Sequence, residues 1–356
     1  MTINDTLRPN ILMLTLGHGF SVTGGLGGGT ETSGKLLVDR LKAKGLNMTV
    51  IGFGGDISFF SPPAIWRVWW TVNAFIMGVA SLSVRDFDII YARYSTYPLF
   101  VGVVLKYLFG KKLIASIHGG DIRHRGFFGV MVAFCLRLCD AIVCYDNPEH
   151  FKKLRDTGFN PIVIPNGIDT KEFKPRRRKH SNVHILYMGG TREIKGYYDF
   201  LSAASSDMFS GSKKLKIIIY DDKSIKGSGK YSSGGNLIEH RDPVLSGEVK
   251  DIMEIGQLFV LPSHQEGAPG ALLQAMSSGM FVIASDLPFT RKVLDQKFLF
   301  KPGDVTAIVR LIVKFRDDKT RYFDSQNVKN RVIVVENYSI DKTVEKWMEL
   351  FGRFVK

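Results

Sequence analysis

Cysteine is scarce in this chain. Three are present, Cys135, Cys139 and Cys144, too few and too close together for a disulfide framework, and without the paired histidines that would complete a zinc site. They read as reduced core thiols. No RNA- or DNA-binding motif is present, which excludes nucleic acid as the expected partner. No Asp-x-Asp stands beside a strand end to hold a metal. The opening Met-Thr-Ile-Asn-Asp-Thr has no basic run ahead of an apolar core, so the expectation is a cytoplasmic protein without a signal peptide. Acidic residues are in deficit, 34 against 48 Lys plus Arg, for a net charge of +14. An anionic partner follows, and with nucleic acid set aside a phosphorylated substrate or acidic lipid remains. A long uninterrupted hydrophobic run is missing too. Residues 61–84 approach the length of a membrane span, but Arg67 and Asn73 interrupt them. The stripe Ile65, Trp69, Val72, Ile76 and Val79 predicts a helix half buried in its own domain. Trp66, Trp69 and Trp70 beside an arginine also suit a bilayer interface.

What is present is length, glycine and short apolar runs. A chain of 356 residues fits two domains, and 45% hydrophobic with 23% charged residues describes a globular protein. Asn10 to Leu16 reads as a buried parallel strand. A glycine-rich loop to Glu31, a helix from about Thr32 to Lys44 and a strand from Met48 to Gly52 follow, the opening of a doubly wound sheet. Strands at 88–92 and 112–117, with a helix at 97–109 between them, bring His118 to a strand's carboxyl end, where open α/β sheets place ligands. Capping of the next helix is the other reading of His118. Ile122 to Phe134 is basic and then aromatic, with Phe127 and Phe128, and is a second candidate for acidic lipid. A strand at 141–144 precedes a helix capped by Asn147 and opened by Pro148. From Val183 the order repeats: strand 183–188, Gly189 to Gly196, helix 197–205, strand 216–220, a loop at 221–235 expected to be mobile, strand 237–240 and helix 248–256. Helices are expected at 289–294 and 306–315.

The stretch from Leu258 to Asp286 organises the second half. It reads as a buried strand, a turn of small residues, a helix and a second buried strand from Phe281 to Ala284. Such a junction aims unpaired backbone N–H groups and the positive end of the helix dipole at one point, where an anion belongs. Glu266 stands just before the turn and Gln274 about two helical turns on, so both face one crevice. A carboxylate accepts from sugar hydroxyls, and an amide both accepts and donates. A diphosphate seat flanked by hydroxyl-binding side chains describes a sugar-nucleotide site.

Glu266-Gly-Ala-Pro, Leu-Leu-Gln-Ala-Met-Ser-Ser-Gly and Val-Ile-Ala-Ser resemble the E-x7-E signature of retaining glycosyltransferases of GT-B architecture, family 4. The resemblance implies an α/β fold of two Rossmann-like doubly wound domains facing across a cleft. Glu266 would contact donor-sugar hydroxyls, and the ribose position holds Gln274, which lacks the charge-assisted strength of a carboxylate. Gly267, Ala268, Pro269, Gly270, Ala271 and Leu272 would line the donor. Gly28 and Gly29 resemble the first-domain loop that faces the donor phosphates and the acceptor, and His118 the histidine beside the reacting sugar. Gly189 to Gly196 resembles the family's Gly-Arg…Lys-Gly element. Lys195 matches its lysine, whereas the arginine position holds Gly190 and Arg192, two residues on, would substitute. His240 to Pro243 resembles the resting place of the base. Ile162 to Pro175 is similar to the family's "PNGID…F" signature and sets an acceptor-binding domain at 1–174, followed by Arg176 to Lys179 as a charged linker, read as a solvated hinge or as a contact with an anionic membrane. The nucleotide-sugar domain is then 175–336, and the closing helix 337–356, capped by Ser339, returns to the first domain.

The catalytic set so implied is Glu266, His118 and Lys195, with no metal and no cofactor beyond a UDP- or GDP-type donor. The acceptor expected is a lipid-linked glycan or other saccharide, met at an anionic membrane surface on the cytoplasmic side. Two alternatives stand: a sugar-nucleotide-binding protein without transferase activity, because positions 274 and 190 depart from the pattern, and a sugar-nucleotide epimerase, because such enzymes share this two-domain architecture.

Overall fold

The computed structural model of the protein describes residues 9–15, 29–52, 63–118, 126–176, 183–206, 215–220, 229–233, 236–241 and 247–355. Gly28, residues 177–179 of the expected hinge and the end of the expected base-binding turn lie outside them. The chain forms two compact units, Met1–Gly167 with Ile340–Lys356, and Ile168–Ser339.

The first unit alternates strand and helix: β1 (Asn10–Thr15), α1 (Gly29–Ala43), β2 (Asn47–Ile51), α2 (Pro63–Val84), β3 (Ile89–Arg93), α3 (Tyr97–Phe109), β4 (Lys112–Ile117), α4 (Gly126–Arg137), β5 (Ala141–Cys144), α5 (Pro148–Asp156) and β6 (Ile162–Val163). Continuous apolar runs such as Ile11 to Leu14 and Ile89 to Ala92 are buried on both faces, as a parallel sheet covered by helices requires. The sheet order is β2-β1-β3-β4-β5-β6, parallel throughout. One face packs on α2 to α5. The other packs on α1 and on the last helix of the chain, α12 (Ile340–Gly352).

In the second unit β7 (Val183–Met188), α6 (Tyr197–Ala204), β8 (Leu215–Tyr220), β9 (Gly229–Ser233) and β10 (Asn236–Arg241) precede α7 (Val249–Ile255), β11 (Leu258–Leu261), α8 (Gly270–Ser277) and β12 (Phe281–Ser285). Then come α9 (Pro288–Val293), β13 (Leu299–Phe300), α10 (Val305–Asp317) and α11 (Lys319–Asn337). The sheet order is β13-β12-β11-β7-β8-β10-β9. All pairs are parallel except β9 on β10.

Four expectations are corrected. The stripe Trp69, Val72 and Ile76 of α2 faces outward; Trp70, Ala74 and Leu82 are the buried ones. The reason is close packing: a Cβ on Gly78 would press into Leu105 of α3, so small residues on this stripe let the helices meet. Part of the segment 221–235, expected as a mobile loop, is the antiparallel edge strand β9, because the free edge of β10 offers it a hydrogen-bonding partner. The unit boundary falls after Gly167, seven residues earlier than expected. Residues 168–173 are bound to the second unit: Ile168 N–H donates to Tyr338 O at 2.8 Å, and Arg331 donates to Phe173 O at 3.0 Å and Thr170 O at 3.3 Å. The chain returns to the first unit at Ile340, and the preceding residues from Lys319 belong to α11, a helix the sequence reading lacked.

Candidate active site

Strand order in the second sheet reverses beside β7, with β8 on one side and β11 on the other. Ligands of open parallel sheets lodge outside the carboxyl ends at such a switch point. The loops leaving β7 and β11 carry Lys195 and Glu266.

The loop after β7 passes Gly190 at φ 66° and enters a 3-10 turn over Glu193–Lys195, closed by Gly196 at φ 68°. The buried Tyr187 hydroxyl clips it to the strand, donating to Gly190 O at 2.7 Å. The loop after β11 lies against it. His264 N–H donates to Ile194 O at 2.9 Å, and His264 Nε2 lies 2.7 Å from Asp199 Oδ2. A Cβ on Gly196 would overlap the Pro262 carbonyl, so this approach needs glycine for both its φ and its bareness. The clamp delivers Lys195 Nζ to both oxygens of Glu266 at 2.8 and 2.9 Å, and Ser263 Oγ donates to Glu266 Oε1 at 2.7 Å. The Glu266 side chain is 7% exposed and that of Lys195 23%, so the carboxylate sits deep and the ammonium reaches toward solvent.

Immediately after Glu266 the chain runs through Gly267 and Ala268 to Pro269 and enters α8. No side chain caps this helix, and its first intrahelical bond runs from Leu273 N–H to Pro269 O. The N–H groups of Gly270, Ala271 and Leu272 precede that bond, so no carbonyl of the helix takes them, which is the local geometry an anion seat requires. Gln274 is half buried one turn further on. Arg192 is exposed, in extended backbone just before the 3-10 turn. Gly190, where the family pattern has arginine, occupies left-handed backbone that an L side chain adopts only with strain.

His118 lies in the first unit at the carboxyl end of β4, 5% exposed. Its Nε2 is 2.9 Å from the Tyr145 hydroxyl and 3.3 Å from that of Ser116, which is itself 2.9 Å from the Tyr91 hydroxyl. The Tyr94 ring, on a residue at φ 89°, lies 4.4 Å from the imidazole. Burial first, and then the fully buried Arg93 guanidinium, hold His118 well below the usual imidazole range, so it is neutral at physiological pH. Gly29 opens α1 in the same unit. The structure therefore brings Lys195, Glu266 and the head of α8 together in one unit and seats His118 in the other. Sequence reasoning missed Ser263, Tyr187 and the tyrosines around His118. Of these only Ser263, a small polar residue three before Glu266, left a local signal.

Two family models match this chain: the one described as Glycosyltransferase Family 4 over residues 27–172, and the one described as Glycosyl transferases group 1 over residues 182–318. The chain belongs to glycosyltransferase family 4. Among curated relatives of this family 4 member, the Escherichia coli UDP-Gal:alpha-D-GlcNAc-diphosphoundecaprenol alpha-1,3-galactosyltransferase is 23% identical over 61% of the chain. The putative teichuronic acid biosynthesis glycosyltransferase TuaC of Bacillus subtilis is 24% identical over 58% of it. The matched parts span 61% and 55% of those proteins' own lengths. Among solved structures, sucrose-phosphate synthase from Thermosynechococcus elongatus is similar with a TM-score of 0.78 at 17% identity, covering 97% of this chain and 99% of that one. Anabaena HepE in complex with UDP and glucose gives 0.70 at 14%, covering 97% and 100%. These likenesses show the GT-B fold.

Proposed function

We propose that this family 4 protein is a retaining glycosyltransferase. It moves a hexose-type sugar from a UDP- or GDP-linked donor to a hydroxyl of a lipid-linked glycan at the cytoplasmic membrane face, without a metal. The observation that carries the reading is the Lys195–Glu266 pair at the head of an uncapped helix. The lipid-linked acceptor is supported by the name of the E. coli relative, and the nucleotide donor by the UDP and glucose bound to HepE.

When the bond between anomeric carbon and diphosphate oxygen breaks, negative charge grows on the leaving group. The Lys195 ammonium and the N–H groups of Gly270 to Leu272 meet that charge. Glu266 accepts hydrogen bonds from sugar hydroxyls and so holds the ring in place. Before donor arrives, Lys195 and Ser263 occupy the carboxylate, so no buried charge stands unpaired. His118, kept neutral, serves a donor hydroxyl as a hydrogen-bonding partner. The acceptor oxygen attacks the face that the diphosphate leaves, and a diphosphate oxygen takes its proton, which retains the anomeric configuration.

The test is transfer from UDP- and GDP-hexoses to a lipid-diphosphate-linked sugar in excess EDTA, with the product anomer read by NMR. Retained configuration and undiminished rate are expected. An inverted product, or activity lost in EDTA and restored only by Mg²⁺ or Mn²⁺, overturns the assignment.

A further inference from the structure

Six large apolar side chains stand out on three neighbouring helices of the first unit: Trp69 (49% exposed) and Ile76 (58%) on α2, Tyr107 (64%) and Leu108 (60%) on α3, Phe127 (80%) and Phe134 (60%) on α4. The helices lie side by side on one face of the sheet. Gly78 of α2 abuts Leu105 of α3, and Phe128 of α4 meets Phe100 of α3 edge-on at 5.6 Å between ring centres. Single apolar residues on a surface need no explanation, but a field of them across three helices does.

Charge decides what covers it. Among the residues of α2, α3 and α4 there is no aspartate or glutamate; the only charged residues are Arg67, Lys106 and Arg137. On the opposite face of the same unit, α12 alternates acid and base through Asp341, Lys342, Glu345, Lys346 and Glu349, the ordinary pattern of a helix that faces water. Packing points the same way. The unit turns the small Ala74 and Gly78 of α2 inward and leaves Trp69 and Ile76 outside, so these side chains are not spare core. Among the described residues no helix is long and apolar enough to cross a membrane. Protruding aromatic and aliphatic side chains on helices that carry no acid, with Arg137 exposed at the end of α4 and Lys106 turned in to Asp140 at 2.7 Å, are the chemistry of a helix face lying in a lipid headgroup layer.

We infer that the outer face of α2, α3 and α4 is a docking surface for an anionic lipid bilayer, which it enters without crossing. This deepens the proposed function and rests on it for the reason a bilayer is visited, since a lipid-linked acceptor is found there.

The experiment is flotation of the full chain with vesicles of phosphatidylcholine alone or mixed with phosphatidylglycerol, at low and high salt, with no donor or acceptor present. The protein is expected to float with the anionic vesicles at low salt and to be released in part by salt. The variants W69S/I76S and F127S/F134S alter exposed positions and should fold normally by circular dichroism. Each is expected to lose about tenfold or more in vesicle partitioning, since each pair withdraws apolar surface from the lipid. V328S/V332S, exposed apolar residues of α11 in the other unit, is the control and should float like the parent. Parent protein that stays wholly soluble on anionic vesicles at low salt overturns the inference. So does flotation unchanged in both patch variants, or a dimer that the patch variants dissociate and that binds no vesicle. Transfer to a water-soluble short-chain acceptor, measured on the same variants, separates the two claims. Docking fails alone if transfer persists without flotation, and the transferase reading fails alone if flotation persists without transfer.

Discussion

Lys195 and Glu266 hold each other at 2.8 and 2.9 Å, so each has a structural task beside the chemical one proposed for it, and the two can be separated. Lys195→Ala takes the ammonium away from a nearly buried carboxylate that Ser263 still serves as a donor, and should destabilise the second unit by about 1–3 kcal/mol. It should also lower turnover by about 10²–10³-fold, the usual cost of one group that meets leaving charge. Adding Glu266→Gln to that variant removes that charge, so stability should recover while turnover does not. Urea midpoints and initial rates on the single and double variants check this; recovery of both would make the pair purely structural. His118 gives a pH prediction. In the unfolded chain its imidazole takes a proton as pH falls through about 6.5, while the folded one, buried and beside Arg93, resists until well below. Over that window the folded chain binds fewer protons, so stability falls as pH falls. His118→Asn should flatten the slope of urea midpoint between about pH 7 and pH 5. An unchanged slope would show that another group carries it. At this scale Lys195 and Glu266 were readable because each follows a predicted strand in its own loop. The setting of His118 was not, because Tyr91 on β3 and Tyr145 just past β5 are brought to β4, which carries Ser116, only by the sheet order.

Between elements, the tightest constraint in the second unit is the contact of the loops after β7 and β11. Gly196→Ala would add a methyl at φ 68° against the Pro262 carbonyl, and should cost about 2 kcal/mol or more. Because Lys195 is the preceding residue, turnover should fall beyond what lost folding explains; activity per folded molecule measures it, and a variant as active as its folded fraction predicts would argue against the clamp. Gly190→Arg, which restores the family residue, should destabilise by about 1–2 kcal/mol through its positive φ and give no gain in rate. The parallel strands and amphipathic helices were legible because burial on both faces leaves continuous apolar runs. Helix α11 was not, since its pattern is inverted: Gln326, Asn327 and Asn330 are buried beside Val334, with Gln326 donating to Asn330 at 2.8 Å, while Val328, Val332 and Val335 are exposed. Helix α2 was legible as a helix but not in its orientation. A helix apolar all round has no polar face to say which side is out, and only its fit against α3 chooses.

At the scale of the molecule, the chain leaves the first unit at Gly167 and comes back to finish it at Ile340. A Cβ on Gly167 would come within 2.6 Å of Ile340 Cα, and Thr343 Oγ1 donates to Pro165 O at 3.1 Å, so the "PNG" motif is where the returning helix seats. Trp347 lies 4.7 Å ring to ring from Tyr91, a buried residue of β3, and Ile340, Val344, Leu350 and Phe351 complete the same core. Five buried apolar side chains at about 1.5–3 kcal/mol each amount to roughly 7–15 kcal/mol, which matches the whole stability of an ordinary domain at about 5–15 kcal/mol. Ending the chain at Ser339 should therefore unfold the first unit while the second, whose residues are all present, keeps its fold. Limited proteolysis followed by mass spectrometry should then recover a resistant fragment near residues 168–339 and none from the first unit. Trp347→Ala is the milder version and should cost about 3–5 kcal/mol, enough to make the first unit the first to be cut as temperature rises. Equal resistance of both units in the shortened chain would mean that α12 is an appendage; loss of the first alone would make it the last piece of that core.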